Sequence, residues 1–304
     1  MVYRACENPC GLIVHLYCDM VVVSLMLFVS RIPSPPLHTA VESIWVCQND
    51  PQPYKLQRVL PTGSAEIILN LKEDSIRVSD PERESVCEAG SGSVLCGPHS
   101  RHIVIDTAEQ EFVVGVAFKP GGTTPFFRLP AYETSDAHVP LEAIWGKLRI
   151  AILRERLLAS PNPQTKLAVM EDALTEMWCP QAAPHAAVAF ALASFHAVPQ
   201  LPIATIADRV GLSPKRFIER FKTDVGLTPK RYCRVMRFQK AVRSTRLDEA
   251  VDWCQLALDC GYFDQAHFIH DFRAFAGFTP NEYRTARTEF HNHVKFLQYE
   301  TDAK

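Results

Sequence analysis

The sequence repeats one pattern of residues in its C-terminal part. The stretch FKTDVGLTPKRYC, which begins at Phe221, has a counterpart in FRAFAGFTPNEYR, which begins at Phe272. A shift of 51 positions places identical residues on these members of the first copy: Phe217, Ile218, Phe221, Gly226, Thr228, Pro229 and Tyr232. A repeat of this kind indicates that one supersecondary unit is present twice.

Each copy has the residue order of a helix-turn-helix. In the first copy a short helix ends at Gly211, because glycine readily adopts the left-handed conformation that closes a helix. Ser213 then caps the following helix, as Asp264 does in the second copy. Phe217 and Phe221 stand four residues apart, so they face the interior together. A helix-turn-helix places its second helix in the major groove, and we therefore predict double-stranded DNA as a partner.

The outer faces of the two recognition helices contain the candidate DNA-contacting residues. Arginine, lysine and glutamine side chains donate to base edges or phosphates, and small apolar side chains contact thymine methyl groups. In an alternative interpretation, Ile218 and Ile269 pack against neighbouring helices. Arg237, which lies between the two units, is added to these candidates. The predicted DNA-binding residues are Ser213, Lys215, Arg216, Ile218, Glu219, Lys222, Arg237, Gln265, Ala266, Ile269, His270 and Arg273.

Glu219 has two candidate roles in the first recognition helix. Its carboxylate could accept a hydrogen bond from the N4 amino group of a cytosine. Alternatively, it holds Arg220 or Lys222 in place through a contact one or three residues along the chain. We favour the positioning role, because Lys215 and Arg216 also surround Glu219 and an unpaired carboxylate is poorly suited to approach DNA.

Charge is distributed unevenly over the two copies, although the whole chain has a formal net charge of only -2. Residues 209–246 hold 12 Lys and Arg against Glu219 and Asp224, a net charge of +10. Residues 247–290 hold 3 basic and 8 acidic residues, a net charge of -5. The basic block is typical of a phosphate-binding surface, so we expect the second unit to bind DNA more weakly than the first.

The two motifs resemble the double helix-turn-helix of AraC/XylS-type bacterial transcription regulators. The first motif, A-D-x-x-G-L-S-P-x-x-F, begins at Ala207. The second, G-Y-x-D-Q-A-H-F-I-x-D-F-R-x-x-x-G-x-T-P-x-x-Y-R, begins at Gly261 and is highly specific. The resemblance covers residues 185–287. It implies a sequence-specific, non-enzymatic regulator in the bacterial cytoplasm, associated with the nucleoid and with RNA polymerase as a partner.

The resemblance also implies an arrangement of seven helices, of which the fourth connects the two units as a rigid strut. The expected helix starts are near His185, Ile203, Ser213, Pro229, Asp248, Asp264 and Pro280. Three positions depart from the family pattern. Many members carry arginine where this chain has Glu219 and His270, so the usual guanine contact is in doubt at both helices. Phe263 occupies a position where a small polar residue is common.

The sequence pattern of the N-terminal part is typical of a β-rich domain. Short apolar runs at 65–71, 101–106 and 111–118 alternate with turn-rich segments, a pattern typical of a sandwich or barrel. Several segments between 37 and 133 are similar to the N-terminal domain of one uncharacterised subgroup of the same regulators. We therefore predict an α+β protein, with a cupin-like barrel or sandwich and trailing helices over 31–180, and an all-α DNA-binding domain over 181–290.

Two trailing helices are predicted after Pro140. The apolar spacing in LEAIWGKLRIAILRERLL predicts one helix from Leu141, and a second helix follows from about Gln164 to Met177. The first of these helices is expected to bury the following residues: Leu141, Ile144, Trp145, Leu148, Ile152 and Leu153. Residues 291–304 are interpreted as a tail.

Residues 1–30 form an apolar N-terminal extension. The run from Leu12 to Val29 is long enough to approach the length of a membrane span, but His15 and Asp19 interrupt it, so we do not expect a membrane segment. The alternatives are an apolar arm that packs on the protein, or a translation start placed upstream of the true one, with Met26 as the first residue.

The sequence gives little support for metal binding, cofactor binding or enzymatic DNA repair. The 10 cysteines are scattered, which suits free thiols in a reducing compartment, and neither a metal nor a cofactor is predicted. The pairs His267/His270 and His291/His293 lack further ligands at metal-binding spacing. Cys6 and Cys10 resemble the zinc-held cysteines of a DNA-repair relative, yet no second pair follows.

The N-terminal domain has three open interpretations. It could bind a small-molecule effector, with His99, Arg101 and His102 as its most suggestive polar group, although we expect these residues to lie on a solvated loop. It could instead act without a ligand and only form a homodimer. A third interpretation is a cupin-like binding or enzymatic domain fused to the DNA-binding unit.

Overall fold

The structure is a computed structural model of the chain and describes residues 12–14, 25–80, 85–89, 91–198, 200–245, 250–288 and 290–295. The described residues begin with strands and end mainly with helices. The predicted α+β class is confirmed.

The described strands form two antiparallel sheets. The strands are β1 (Leu12–Val14), β2 (Leu25–Arg31), β3 (Val41–Asn49), β4 (Leu56–Val59), β5 (Glu66–Asn70), β6 (Ile76–Asp80), β7 (Ser85–Ala89), β8 (Ser93–Cys96), β9 (Ile103–Asp106), β10 (Phe112–Phe118), β11 (His138–Pro140) and β12 (His293–Lys295). The first sheet has the order β1-β2-β3-β10-β5-β8-β11, and the second has the order β12-β4-β9-β6-β7. No described strand pairing joins the two sheets into a closed barrel.

The helices divide between the two parts of the chain. Those of the N-terminal part are α1 (Thr124–Phe127), α2 (Leu141–Trp145), α3 (Lys147–Ala159) and α4 (Pro163–Met177). Those of the C-terminal part are α5 (Ala186–Ala197), α6 (Ile203–Arg209), α7 (Pro214–Val225), α8 (Pro229–Ser244), α9 (Trp253–Asp259), α10 (Gln265–Ala276) and α11 (Pro280–Ala286).

One face of the first sheet packs against α3 and α4. Ile44, Ile67 and Val116 are fully buried there, in a core that also contains Leu157 of α3 and Met170 of α4. Because side chains alternate along a strand, the neighbouring residues of the same strands point to the other face, toward the second sheet. This alternation separates a tightly packed helical side from the space between the sheets.

The helix expected to run on from Leu141 is broken at Gly146, which has a φ of 89° and separates α2 from α3. The break changes which residues are buried. Leu148 is 76% exposed and Ile152 is 48% exposed, so their expected burial is wrong. Leu153 is buried as expected, whereas the burial of Ile150 was not predicted, because α3 starts with a different rotation after the glycine.

The fifth helix of the C-terminal part starts later than expected. The resemblance placed its start near Asp248, which lies outside the described residues, whereas α9 begins at Trp253. The Asp252 carboxylate accepts hydrogen bonds from the backbone N–H groups of Cys254 and Gln255, at 3.0 and 3.1 Å. Asp252 is therefore the N-cap of this helix, since it satisfies two of the N–H groups that a helix start leaves without partners.

The first and the last described segments contribute to the sheets. Met26 lies in β2, is 4% exposed and pairs with Asn49 of β3, so this end of the apolar run is part of the first sheet. Residues 293–295, interpreted from the sequence as tail, form β12 and pair with β4. None of the described helices is long and apolar enough to cross a membrane. Residues 15–24 of the apolar run, and residues 1–11 with Cys6 and Cys10, lie outside the described residues.

Candidate DNA-binding surface

The two helix-turn-helix units share one aromatic core geometry. In the first unit the ring centroids of Phe221 and Tyr232 lie 5.6 Å apart with an interplanar angle of 61°. In the second unit the equivalent rings of Phe272 and Tyr283 lie 5.5 Å apart, also at 61°. All four rings are buried. The repeat in the sequence is thus a repeat in three dimensions, and it turns the opposite faces of α7 and α10 outward.

Each recognition helix begins with a capping side chain. The Ser213 hydroxyl accepts a hydrogen bond from the backbone N–H of Arg216 at 3.4 Å. The Asp264 carboxylate accepts one from the backbone N–H of His267 at 2.7 Å. Ser213 still has its own O–H, which is a donor that a phosphate oxygen could accept. Asp264 lacks such a donor, so the two helix starts differ in their suitability for an anion.

The N-terminal halves of both helices are open to solvent. Lys215, Arg216 and Glu219 are exposed on α7, and on α10 the exposed candidates are Gln265, Ala266, His270 and Arg273. Ile218 and Ile269 are half-buried. Ile269 packs against the core of the second unit, as the alternative interpretation expects of it. Except for the two isoleucines, the predicted base-contacting residues of each helix therefore lie on an open face.

The contacts of α7 bear on the two roles considered for Glu219. Arg220 pairs with the buried carboxylate of Asp224 at 3.3 Å. The Lys222 ammonium lies 5.0 Å from the ring centroid of Tyr132 in the N-terminal part. Both cations that Glu219 was expected to hold are therefore engaged elsewhere. Within the described residues Glu219 forms no ion pair, so the structure provides no partner for the positioning role.

A cleft of about 570 Å³ lies between the two units. One wall is α8, where the i, i+4 spacing places Lys230 and Arg234 on one face. The opposite wall is the N-terminal half of α10, and Gln200, Leu201, Pro202 and Ile203 close one side. Three cations face one carboxylate in the cleft, which leaves it net positive. The residues that set its charge and polarity are Lys230, Arg234, Arg237, His267, His270 and Asp271.

Arg237 is held in the cleft without a carboxylate partner. Its guanidinium lies 5.5 Å from the ring centroid of Tyr262, and its Nε atom is buried without a hydrogen-bond acceptor. Within the described residues neither Arg237 nor Lys230 forms an ion pair. Arg237 is half-buried and lines the cleft, and a guanidinium is well suited to donate to a phosphate oxygen.

An ion pair that the sequence does not predict anchors the second recognition helix, α10, to α8. Arg234 donates to the Asp271 carboxylate through Nη2 at 2.7 Å and Nε at 3.3 Å. The hydrogen bonds to Asp271 raise the pKa of Arg234 above its usual range. Arg234 belongs to the basic block and Asp271 to the second family motif. The two residues are 37 positions apart, and no local sequence pattern predicts a pair at that separation.

A row of side chains crosses the inner face of the first sheet. Strand register places five residues side by side on that face: Ser43, Ala117, Glu66, Cys96 and His138. All five are half-buried, whereas Ile44, Ile67, Leu95 and Val116, which alternate with four of them on the helical face, are almost fully buried. We call these residues the polar row. On this face Cys96 packs against the small apolar cluster that contains Ile76 of the second sheet.

The electrostatics of the polar row favour neutral groups. Burial raises the pKa of Glu66 to about 7. Burial, with a smaller effect of Glu66, raises the pKa of the Cys96 thiol. Burial and then His99 lower the pKa of His138 to about 3, and the two imidazole rings lie 4.8 Å apart. Nε2 of both His99 and His138 is buried without a hydrogen-bond partner.

The segment that contains His99, Arg101 and His102 is not the solvated loop that we expected. His99 lies against His138, and mainly burial lowers the pKa of His99 to about 4. The backbone N–H of His102 donates to the Phe275 carbonyl in α10 at 3.0 Å. The segment is held because it lies between the N-terminal sheets and the helix-turn-helix units. Within the described residues no group of three His, Cys, Asp or Glu side chains is arranged to hold a metal ion.

Solved structures of bacterial proteins are similar to parts of the chain. The C-terminal domain of AraT, a response regulator from Geobacillus stearothermophilus, is 20% identical, with a TM-score of 0.32 over 40% of this chain and 95% of that one. A DNA-binding transcriptional dual regulator from Escherichia coli K-12 is 21% identical, with a TM-score of 0.29 over 33% and 89%. ToxT from Vibrio cholerae O395 is 9% identical, with a TM-score of 0.44 over 86% and 99%.

Family models match both parts of the chain. Residues 30–140 match a family described as a domain of unknown function (DUF6597). Residues 206–286 match the family described as a helix-turn-helix domain. Comparison with curated proteins found no match. The matched domain and its two exposed recognition helices define a DNA-binding transcription regulator. The helix-turn-helix domain of its C-terminal part is of the AraC type.

Proposed function

We propose that a single chain reads two successive major grooves, one with α7 and one with α10. The observation that carries this proposal is the equivalent exposure of the N-terminal halves of both helices on two helical cores that share α8. Helix α8 connects the two units and has 16 residues, which at ~1.5 Å per residue gives a length of about 24 Å. With a recognition helix on either side, a strut of this length suits grooves about 34 Å apart.

The base contacts are assigned to the exposed N-terminal halves. Lys215 and Arg216 donate to base edges or to flanking phosphates, and Glu219 accepts from a cytosine. On α10, Gln265 and His270 supply polar contacts, and Ala266 suits a thymine methyl group. The remaining candidates, Ser213, Ile218, Lys222, Ile269 and Arg273, lie at the edges of these faces or contact the protein itself.

The cleft between the units is proposed to hold backbone phosphates of the DNA between the two grooves. Lys230 and Arg237 line the cleft and provide positive charge that no described carboxylate neutralises. Such contacts would compensate for the acidic character of the second unit. They would add affinity without sequence preference, because phosphate positions are common to all sequences.

The N-terminal part is proposed to bind a small effector between its two sheets, at the polar row. Glu66 in its protonated form, and neutral His99 and His138, offer hydrogen bonds without a net charge. This combination suits an uncharged polar molecule better than a strong anion or cation, since burying an unpaired charge is costly. The alternative that the N-terminal part only forms a homodimer has no comparable group of unsatisfied side chains in its favour.

The remaining parts of the proposal follow from the regulator class. We propose that the protein acts on RNA polymerase at promoters in the cytoplasm, associated with the nucleoid, and that it does not catalyse a reaction. Its domains are taken as 31–180 for the N-terminal part and 181–290 for DNA binding.

The DNA-binding proposal is tested by selection of binding sites from random duplexes with the full chain. The expected result is a bipartite motif whose two halves are separated by one helical turn. A Lys215→Ala substitution should change one half of the motif, and Gln265→Ala should change the other. A motif confined to one half, unaffected by Gln265→Ala, would contradict the two-groove proposal.

The effector proposal is tested by a thermal-shift screen of uncharged polar metabolites against the full chain. A compound that raises the melting temperature of the wild type should lose this effect with Glu66→Gln or His138→Gln. Glu42→Gln, on the exposed part of β3, provides the matched control. A compound whose stabilisation survives all three substitutions binds elsewhere and contradicts the assigned site.

A further inference from the structure

The N-terminal part contacts both helix-turn-helix units at the same place in the repeat. Gly226 and Gly277, which are 51 positions apart, end α7 and α10 with φ angles of 89° and 76°. Both glycines lie directly against side chains of the N-terminal part. The contacts are at the C-terminal ends of the recognition helices, away from the exposed N-terminal halves.

The first contact holds the end of α7. The Ser135 hydroxyl donates to the Gly226 carbonyl at 2.6 Å. A Cβ atom at Gly226 would lie 2.5 Å from Cγ of Pro98, so the backbone approaches as closely as a glycine allows. Beyond the glycine, Arg231 of α8 lies 3.8 Å from the carboxylate of Asp136. The end of the first recognition helix is thus held by a hydrogen bond, a close packing contact and an ion pair.

The second contact holds the end of α10. Nη1 of Arg58 donates to the carbonyl of Gly277 at 3.3 Å, and its guanidinium lies 5.0 Å from the ring centroid of Phe278. The backbone N–H of His102 donates to the carbonyl of Phe275 at 3.0 Å. A Cβ atom at Gly277 would lie 2.5 Å from Cε1 of His102. The C-terminal end of α10 is thus held by contacts at Gly277 and at Phe275 in the preceding turn.

One short segment joins the two contacts. Pro98 touches the first unit and His102 touches the second, only four residues further along. Between them, the hydroxyl of Ser100 donates to the Asp136 carboxylate at 2.8 Å, and its backbone N–H donates to the same group at 2.7 Å. The His99 ring in the same segment lies against the His138 ring of the polar row, with centroids 4.8 Å apart. The segment is therefore bound to both units and to the inner face of the first sheet.

We infer that Arg58, His102 and Ser135 are positioning residues for DNA reading: they fix the distance and rotation between the two recognition helices. The exposed N-terminal halves stay open while the C-terminal ends are held, so the contact orders the helices without covering their reading faces. Two linked binding units act together best when their separation matches the spacing of their sites. This inference rests on the proposed reading of two grooves by one chain.

The test compares the wild-type full chain with the double variant Arg58→Ala/Ser135→Ala on three duplexes. One duplex carries the selected bipartite site, one carries a half-site, and one has about 3 base pairs inserted between the halves, which rotates them by nearly a third of a turn. The wild type should bind the bipartite site at least about tenfold more tightly than the inserted one. The double variant should lose most of this difference and keep its half-site affinity.

Controls separate positioning from loss of folding. Arg156→Ala removes a charge on the remote helix α3 and should leave the spacing dependence unchanged. Arg58→Lys keeps a cationic donor near Gly277 and should restore part of the dependence. Circular dichroism melting confirms that each variant is folded.

Two results overturn the inference: a folded double variant with the full wild-type spacing dependence, or equal losses on the half-site and the bipartite site. A wild type without any spacing dependence would instead contradict the two-groove proposal on which the inference rests.

Discussion

Arg234 of α8 and Asp271 of the second recognition helix, α10, form an ion pair with two hydrogen bonds, the shorter at 2.7 Å. Asp271 is almost fully buried, and Arg234 keeps 36% of its side chain exposed. The pair fixes α10 on α8, and it lines the cleft where we place DNA phosphates. Its removal should therefore affect both the stability of the fold and the position of α10.

Asp271→Ala should lower the free energy of unfolding by about 2–3 kcal/mol. This value is below that of a fully buried broken pair, because water still reaches Arg234. Urea denaturation followed by circular dichroism measures the change. The matched control is Asp172→Ala, which breaks the exposed ion pair with Arg156 and should cost less than about 1 kcal/mol. Equal effects of the two substitutions would contradict the structural role of Asp271.

Arg237→Ala should weaken binding to every DNA sequence and reduce the slope of log affinity against log salt by about one. The reason is the loss of one phosphate contact in the cleft. Lys222→Ala should have a smaller effect, because the Lys222 ammonium lies over the Tyr132 ring. Titrations of labelled duplex at several salt concentrations measure both slopes. An unchanged slope for Arg237→Ala would refute the assignment of the cleft.

Glu219→Gln should shift the preference at one base position, with a loss of about 1–3 kcal/mol on the preferred site. The sequence favoured a positioning role for Glu219, but Arg220 and Lys222 have other partners in the structure. We therefore now expect the carboxylate to read a cytosine. Binding-site selection with wild type and variant decides the question. An unchanged motif with equal or tighter binding would restore the positioning role.

Glu66→Gln should make the protein more stable above pH 7. Burial raises the pKa of Glu66 from 4.5 to about 7. Between these values the folded state binds more protons than the unfolded state, so this carboxyl lowers the stability as the pH rises. The amide does not ionise, and the variant should gain on the order of 2 kcal/mol at pH 8. Melting temperatures from pH 5 to about 8 test this, with Glu42→Gln as the exposed control.

His293→Gln should reduce the loss of stability in acid. Burial lowers the pKa of His293 from 6.5 to about 4, and its Nδ1 lies 3.2 Å from Oε1 of Gln57. As the pH falls from 6.5 toward 4, the unfolded state takes up the proton first, so the folded state loses relative stability. Melting curves over this range should be flatter for the variant, whereas the exposed control His196→Gln should follow the wild type. Parallel curves for wild type and His293→Gln would exclude this histidine as a source of acid sensitivity.

Local patterns in the sequence were sufficient for the helix-turn-helix units. The caps Ser213 and Asp264 and the paired phenylalanines act within one or two turns of a helix, so their spacing is visible in the chain itself. The predictions failed where one residue changed the local geometry. Gly146 breaks the helix that the apolar spacing extended, and Leu148 is consequently exposed rather than buried.

Contacts between distant parts of the chain could not be predicted in this way. The polar row depends on the register of five strands, and a slip of one residue would turn its side chains to the opposite face. The contacts of Ser135 with Gly226 and of Arg58 with Gly277 join positions 91 and 219 apart. A single sequence records which residues can cap, turn or pack locally. Which distant residues come into contact is determined only when the sheets pack against the helices. That packing depends on the apolar surface that the whole chain buries on folding, which no local pattern records.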